Sequence, residues 1–210
     1  MIRLFNAFVK ITGWPAQLLV FRTKVKYEDK SVQSRRIKGS AIIVSNHTAV
    51  YDYACMLFVF FSRTLRYQMA EVLFEKKLLG PFLKRLGGIY INRNANDLSF
   101  MSESERILEK GGVVGIFPEG RLPLKDETPP IAFKPGAAYL ALASGVKVIP
   151  VYTNGAYFSL RRARVVIGRP IDPKEFDDRG LSERENIERL TNAMRERIIE
   201  LRELLDEKKR

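Results

Sequence analysis

The sequence predicts an α/β fold: a single domain with a largely parallel central sheet flanked by helices, preceded by an N-terminal amphipathic helical pair. Short apolar runs that end in polar loops alternate along the chain with segments of helical periodicity, which is the order typical of a parallel sheet. The 210 residues suit one domain, and the 46% that are hydrophobic are enough for a core. No internal repeat or linker divides the chain.

Residues 1–27 combine apolar and aromatic side chains with Arg3 and Lys10, and the segment Gly13-Trp14-Pro15 interrupts them. Because proline disrupts a helix interior, the pattern predicts two short amphipathic helices that meet at Pro15. Aromatic and basic residues of this kind are typical of segments that lie on a membrane surface, and packing on the domain is compatible with that use. We expect 1–27 to be membrane-docking helices and 28–210 to form the α/β domain.

Strands and helices are predicted alternately along the rest of the chain. Buried strands are predicted within 40–47, 87–93, 113–120, 146–152 and 163–170. Helices are predicted over 53–61, 71–86, 97–110, 134–145 and 182–206. In the last of these the apolar residues recur every three or four positions, which predicts an amphipathic C-terminal helix that covers the core.

The charge and the cysteine content narrow the classes of function. The net charge is +12, and residues 1–40 carry nine basic and two acidic residues. Such a basic end suits nucleic acid, a phospholipid surface or a phosphorylated substrate, although a solvated basic face is the simpler alternative. With one cysteine there is no internal disulfide, and with one cysteine and one histidine a structural metal site is not expected.

The stretch VSNHTAVYDY, residues 44–53, contains the only histidine, His47, and an aspartate five residues later, Asp52. Five residues turn through about 500° in a helix, so the two side chains could pair only if His47 lies in the loop before the helix. An aspartate on one imidazole nitrogen fixes the tautomer and leaves the other nitrogen free to act as a base. Aspartate is also common at helix starts, so the pair alone does not distinguish catalysis from capping.

Other loops add glycines and cations. The stretch GIFPEGR, residues 115–121, follows a strand, Arg93 follows another, and Lys134 precedes a predicted helix whose backbone amides would help bind an anion. The carboxyl ends of parallel strands share one edge of a sheet. A base and several cations are therefore expected to converge on one anionic substrate.

The order of these motifs resembles that of the glycerophospholipid acyltransferases, and most closely the bacterial 1-acyl-sn-glycerol-3-phosphate acyltransferases. The resemblance covers about residues 40–155 and rests on four ordered blocks: His47 with Asp52, Gly87 to Arg93, Phe117-Pro118-Glu119-Gly120, and Val148-Ile149-Pro150-Val151. It implies transfer of a fatty acyl group from acyl-CoA or acyl-carrier protein to the free hydroxyl of lysophosphatidic acid, forming phosphatidic acid in phospholipid biosynthesis.

The resemblance also implies roles for residues. His47 would be the general base and Asp52 would orient it, whereas Arg93, Glu119 and Gly120 would position the acceptor and its phosphate. No metal or covalent cofactor is implied. A peripheral membrane protein on the cytoplasmic face of the cell membrane is implied, with an anionic membrane surface and no nucleic acid as partner.

Two departures from the family pattern concern the phosphate. Many members read Glu-Gly-Thr-Arg in the third block, but here Arg121 directly follows Gly120, one place early. Ala70 and Glu71 stand where many members carry a lysine. We therefore expect Arg121 and Lys134 to share the phosphate contacts, with Lys134 compensating for the missing lysine.

Three alternatives remain at this point. The acceptor could be glycerol-3-phosphate or another lysophospholipid. A thioesterase could use Ser45 or Cys55 as nucleophile beside His47, although no Gly-x-Ser-x-Gly elbow is present. A non-enzymatic basic module could bind nucleic acid or membrane, but it would leave the ordered loop motifs unexplained.

Overall fold

A computed structural model of the chain describes residues 1–92, 97–158 and 160–207. The strands are β1 (Lys24–Tyr27), β2 (Ala41–Ser45), β3 (Leu65–Ala70), β4 (Ile89–Ile91), β5 (Val113–Ile116), β6 (Val148–Thr153) and β7 (Arg164–Ile167). The helices are α1 (Ile2–Val20), α2 (Asp52–Val59), α3 (Glu71–Phe74), α4 (Leu79–Leu86), α5 (Ser99–Glu109), α6 (Gly136–Ser144) and α7 (Glu183–Glu207), with a 3₁₀ turn at Pro173–Phe176.

Within the described residues the strands form one seven-stranded sheet in the order β1-β7-β6-β2-β5-β3-β4. The five strands from β6 to β4 are mutually parallel, whereas β7 runs antiparallel to β6 and carries β1 parallel to itself. All five residues of the central strand β2 are buried, as expected for a strand covered on both faces. The predicted α/β fold with a largely parallel sheet is confirmed.

Helices cover both faces of the sheet. On one face α1 and α2 pack with α4 over a core that includes Met56, Phe60 and Tyr67. On the other face α5, α6 and α7 pack over a core that includes Leu140 and Leu190. The C-terminal helix predicted over 182–206 is α7, and its apolar stripe contacts β6 and β7.

The prediction of an N-terminal helical pair is wrong in one respect, because α1 is a single helix that continues through Pro15. Proline has no backbone N–H, so the helix lacks the hydrogen bond to the carbonyl of the exposed Ile11. Side-chain contacts on both sides of Pro15 outweigh this loss. The Trp14 ring packs edge-on against Phe61, with the ring centroids 5.3 Å apart, and Gln17 is buried beyond the proline.

The N-terminal segment is also shorter as a helix than the sequence indicated. Residues 24–27 form β1, which pairs with β7 in the register Lys24 to Arg164 and Tyr27 to Ile167. The sheet therefore begins before residue 28.

The topology creates a crevice at the carboxyl ends of β2 and β5. The chain leaves β2 through α2 on one face of the sheet, and it leaves β5 through α6 on the other face. Neighbouring strands whose connections diverge in this way leave an open cleft, which is where ligands bind in α/β sheets. The loop that begins at Asn46 and the loop that begins at Phe117 face each other there.

Candidate active site

His47 and Asp52 form a hydrogen-bonded pair at this cleft. His47 lies in the loop after β2 and Asp52 is the first residue of α2, so the helix geometry that would separate them does not apply. The His47 Nδ1 atom is 2.7 Å from Asp52 Oδ2. Since an ionised carboxylate only accepts hydrogen bonds, Nδ1 carries the proton and Nε2 is left as the basic nitrogen.

Asp52 is fully buried and accepts hydrogen bonds on both oxygens. Oδ2 accepts from the backbone amides of Thr48 at 2.6 Å and Ala49 at 2.9 Å, in addition to His47. Oδ1 accepts from the Thr48 hydroxyl at 2.8 Å and from the Tyr157 hydroxyl at 2.6 Å. A buried carboxylate is stable as an anion when its lone pairs are satisfied in this way.

Tyr157 reaches Asp52 from the loop that follows β6. Burial, followed by the neighbouring Cys55 and Asp52, raises the pKa of Tyr157 well above its usual range, so this hydroxyl remains a donor. Asn46 fixes the loop after β2 relative to the end of β6. Its Nδ2 donates to the Thr153 carbonyl at 2.9 Å, and its Oδ1 accepts from the Thr153 amide at 2.8 Å.

The His47 ring is held flat against Phe117. The ring centroids lie 4.3 Å apart and the planes differ by 10°. With one face on Phe117 and Nδ1 on Asp52, the imidazole is fixed in both position and rotation. Its side chain keeps 20% of its surface exposed, so a substrate in the cleft can reach it.

The buried Glu119 links the loop after β2 to the loop after β5. One carboxylate oxygen accepts from the His47 backbone amide at 2.8 Å, and the other accepts from the Ile131 amide at 3.1 Å. Burial raises the pKa of Glu119, and the two amide hydrogen bonds oppose that shift. The carboxylate therefore holds the loop that carries His47, and a phosphate would have the same sign of charge as this side chain.

Lys134 lies over Gly120, the residue that follows Glu119. Gly120 has a φ of +69°, and a Cβ atom there would come within 3.0 Å of the Lys134 Nζ atom. The Lys134 amide donates to the Pro118 carbonyl at 2.8 Å, which brings the start of α6 against the third block. The structure thus places Lys134 against the third block, and its contact with the substrate stays a prediction.

Arg121 points elsewhere. Its guanidinium makes two hydrogen bonds to Glu127, at 2.6 and 2.7 Å, and that contact raises the pKa of Arg121 and lowers the pKa of Glu127 to about 2. Its charge is thus matched by a carboxylate on the same loop. Arg93, which the resemblance linked to the acceptor, lies outside the described residues.

The two nucleophiles of the thioesterase alternative are poorly placed. Burial raises the pKa of the Cys55 thiol to about 12, so it stays protonated, and Ser45 is fully buried at the end of β2. In contrast, three residues that had no role predicted from the sequence complete the site: Thr48, Phe117 and Tyr157. Thr48 and Phe117 lay within quoted motifs, whereas no local signal linked Tyr157 to Asp52.

Nothing described within 1–92, 97–158 and 160–207 gathers three or more histidine, cysteine, aspartate or glutamate side chains that could hold a metal ion. In the same ranges no helix is both long and apolar enough to cross a membrane.

The chain is similar to several known proteins. Over 171 residues the chain is 25% identical to the 1-acyl-sn-glycerol-3-phosphate acyltransferase of Bacillus subtilis (strain 168), covering 79% of this chain and 83% of that protein. It is 28% identical over 149 residues to the human 1-acyl-sn-glycerol-3-phosphate acyltransferase beta, covering 68% of this chain but only 51% of that protein.

The fold is shared with a solved structure, the crystal structure of the 1-acyl-sn-glycerophosphate (LPA) acyltransferase from Thermotoga maritima. The TM-score is 0.66 at 22% identity, over 94% of this chain and 79% of that one. The sequence model of the family described as Acyltransferase matches residues 23–154, which is more than half of the chain and includes every residue of the His47 site up to Asn154. The chain therefore belongs to the acyltransferase family.

Proposed function

We propose that this acyltransferase transfers a fatty acyl group from an acyl thioester to the free hydroxyl of 1-acyl-sn-glycerol-3-phosphate, forming phosphatidic acid in phospholipid biosynthesis. The observation that carries the proposal is the His47–Asp52 pair, held rigidly at the open crevice of the sheet. The names of the Bacillus subtilis and human relatives support this acceptor.

The reaction follows from the state of the imidazole. With Nδ1 bound to Asp52, the His47 Nε2 atom accepts the proton of the acceptor hydroxyl as its oxygen attacks the thioester carbonyl carbon. Collapse of the tetrahedral intermediate breaks the carbon–sulfur bond, and the imidazolium returns the proton to the departing thiolate. Asp52 stabilises the imidazolium between these steps.

Lys134 supplies the cation for the acceptor phosphate in this proposal. It is exposed, it lies beside the third block, and it precedes α6, whose N-terminal backbone amides would add to the binding of an anion. Arg121 is less suited, because Glu127 already matches its charge.

Thiol release by purified protein tests the reaction. The donor is palmitoyl-CoA or palmitoyl-acyl-carrier protein, with and without 1-acyl-glycerol-3-phosphate, and the variant is His47→Ala. We expect release that requires the acceptor and falls by about a thousandfold or more in the variant, since base catalysis and nucleophile activation are both lost. Acceptor-independent release would instead identify a thioesterase, and faster turnover of glycerol-3-phosphate would change the assigned acceptor.

Lys134→Ala tests the phosphate contact, with Lys125→Ala as the matched control on the same exposed loop region. Loss of one charge-assisted contact is expected to raise the KM for 1-acyl-glycerol-3-phosphate about tenfold with little change in kcat. Equal KM values for the Lys134 variant, the Lys125 variant and the wild type would contradict the assignment.

We also propose that α1 docks the protein on the anionic cytoplasmic face of the cell membrane. The polarity of α1 is inverted: Asn6, Lys10 and Gln17 are buried against the domain. The side chains facing outward are mostly apolar, and five of them are more than half exposed: Leu4, Phe8, Ile11, Leu18 and Leu19. An exposed apolar stripe beside basic residues is the composition of a helix that lies in a membrane interface.

A further inference from the structure

A groove between α1, β1 and the end of α2 has no part in the proposed reaction. It consists of two cavities of about 340 and 520 Å³ that share Trp14 and Arg35. We call the two cavities together the arginine groove. Their volumes fall within the range of small-molecule sites.

Four arginines line the arginine groove. Arg22, Arg35 and Arg162 line the first cavity, and Arg35 and Arg36 line the second. All four are exposed, and among the described residues none of them forms an ion pair with a carboxylate. Guanidinium groups gathered without acidic partners repel one another, and an anion with phosphate geometry would relieve that repulsion by bidentate hydrogen bonds.

The other wall of the groove is apolar. Trp14, Leu18 and Phe58 line the first cavity, and Ile11 and Phe61 line the second together with Trp14. Ile11 and Leu18 also belong to the outward face of α1, so the apolar wall continues directly into the stripe proposed to enter the membrane. A ligand that satisfies both walls has an anionic head and a hydrocarbon tail, and it arrives from the bilayer.

We propose that the arginine groove binds an anionic phospholipid of the bilayer, with its phosphate on the arginines and its acyl chains along Trp14 and Phe58. This site is distinct from the reaction centre. The catalytic Asp52 begins α2 and the groove residue Val59 ends it, which separates the two sites by roughly 10 Å of helix. The groove would select the lipid surface on which α1 docks.

Trp14 is the only tryptophan in the chain, so the tryptophan fluorescence comes from a side chain that lines both cavities of the groove. The probe is a vesicle of phosphatidylcholine and phosphatidylglycerol in which either one lipid or the other carries brominated acyl chains, because bromine quenches nearby tryptophan. We expect brominated phosphatidylglycerol to quench Trp14 more per molecule than brominated phosphatidylcholine does. Phosphatidylglycerol is neither acceptor nor product of the proposed reaction, so the assay does not depend on acyl transfer.

The variant is Arg35→Gln with Arg162→Gln, and the matched control is Arg179→Gln with Arg184→Gln, which removes the same charge from exposed arginines near the start of α7. The groove variant is expected to lose the selective quenching and to bind the mixed vesicles about tenfold more weakly. The affinity of the control variant for the same vesicles is expected to fall less than about threefold. All four side chains are exposed, so unchanged melting temperatures check that the fold is intact.

Equal quenching by the two lipids, or equal losses in the two double variants, would overturn the proposal and leave only diffuse charge attraction. Relief of the quenching by coenzyme A would also overturn it, by assigning the groove to the acyl donor. Binding to pure phosphatidylcholine vesicles reports separately on α1, so docking can hold while the groove assignment fails.

Discussion

At the scale of single residues, the site depends on how Asp52 is held as a buried anion. Its five hydrogen bonds come from one imidazole, two amides and two hydroxyls, and four of these groups lie within five residues of it. The fifth, from Tyr157, ties the His47–Asp52 pair to the far side of the cleft. It is the one contact that can be removed without altering the loop that carries His47.

Tyr157→Phe tests the value of this contact. A hydrogen bond to a charged group contributes about 1.5–3 kcal/mol, and part of this energy stabilises the imidazolium that forms during the reaction. We therefore expect kcat to fall roughly tenfold at unchanged KM. The measurement is steady-state kinetics with 1-acyl-glycerol-3-phosphate. Tyr152→Phe is the control, because that half-buried tyrosine of β6 packs beside α7. Equal activities for the two variants would show that Asp52 does not need the fifth donor.

Glu119→Gln tests whether the carboxylate holds the loop. Glutamine offers one acceptor oxygen in place of two, so either the His47 or the Ile131 amide is left facing an NH₂ group. We expect kcat to fall about a hundredfold and the free energy of unfolding to fall by about 1–3 kcal/mol, with a small effect on KM. A large rise in the KM for the acceptor at constant kcat would instead place Glu119 in contact with substrate.

The sequence identified the part of the site that short motifs encode. His47 and Asp52 are five residues apart, and the segment from Phe117 to Gly120 is contiguous, so both can be recognised as short sequence motifs. The contact between Asp52 and Tyr157 spans 105 residues, and it depends on β2 and β6 being neighbours in the sheet. No single-sequence pattern carries that information.

At the scale of elements, the sequence identified the strands that form short apolar runs and missed β1 and β3, in which polar and apolar residues alternate. Central β2 is one apolar run, whereas β3 alternates buried Leu65, Tyr67 and Met69 with polar residues and was not predicted. The helix predicted over 71–86 is two helices, α3 and α4, packed so closely that a Cβ on Gly80 would lie 2.0 Å from the Phe74 carbonyl oxygen. Such close approaches depend on tertiary contacts and not on periodicity.

The attachment of α1 to the domain includes a buried lysine that makes stability depend on pH. Lys10 donates to the carbonyls of Phe60, Phe61 and Arg63 at the end of α2, and burial lowers its pKa from 10.5 to about 8. The folded state therefore loses the proton at a lower pH than the unfolded state does. The unfolded state binds more protons between these values, so stability rises with pH across that window.

Lys10→Met removes this titration. As the pH rises from about 8 to 10.5, the free energy of unfolding of the wild type is expected to gain about 1–2 kcal/mol relative to the variant, because the three carbonyl contacts oppose part of the effect of burial. Denaturant unfolding of both proteins across that range measures it. Parallel curves for the two proteins would show that the three carbonyls fully offset the burial of the charge.

At the scale of the whole molecule, three features lie on one connected surface. α1 presents its apolar face outward, the arginine groove runs along its inner edge, and α2 leads from that groove to Asp52. The net charge of +12 adds a long-range attraction to an anionic surface. Membrane binding should therefore have two separable parts, one from charge and one from apolar insertion.

Salt separates these two parts, because ions screen exposed charges within about 10 Å at 0.1 M but do not weaken apolar burial. We expect wild-type binding to phosphatidylglycerol vesicles to weaken with salt and then to level off at a residual affinity. Phe8→Ser with Leu19→Ser should lower that residual affinity at least tenfold, since both side chains are largely exposed and each would bury its apolar surface in the bilayer.

The control for this measurement is Leu98→Ser with Tyr139→Ser, two exposed residues at α5 and α6 on the opposite face of the sheet. Vesicle sedimentation at increasing salt gives both parts from one titration. If binding falls to zero at high salt in the wild type, charge alone holds the protein at the membrane. In that case the outward face of α1 must be covered by something other than lipid, because a stripe of exposed apolar side chains of this length is unfavourable in water.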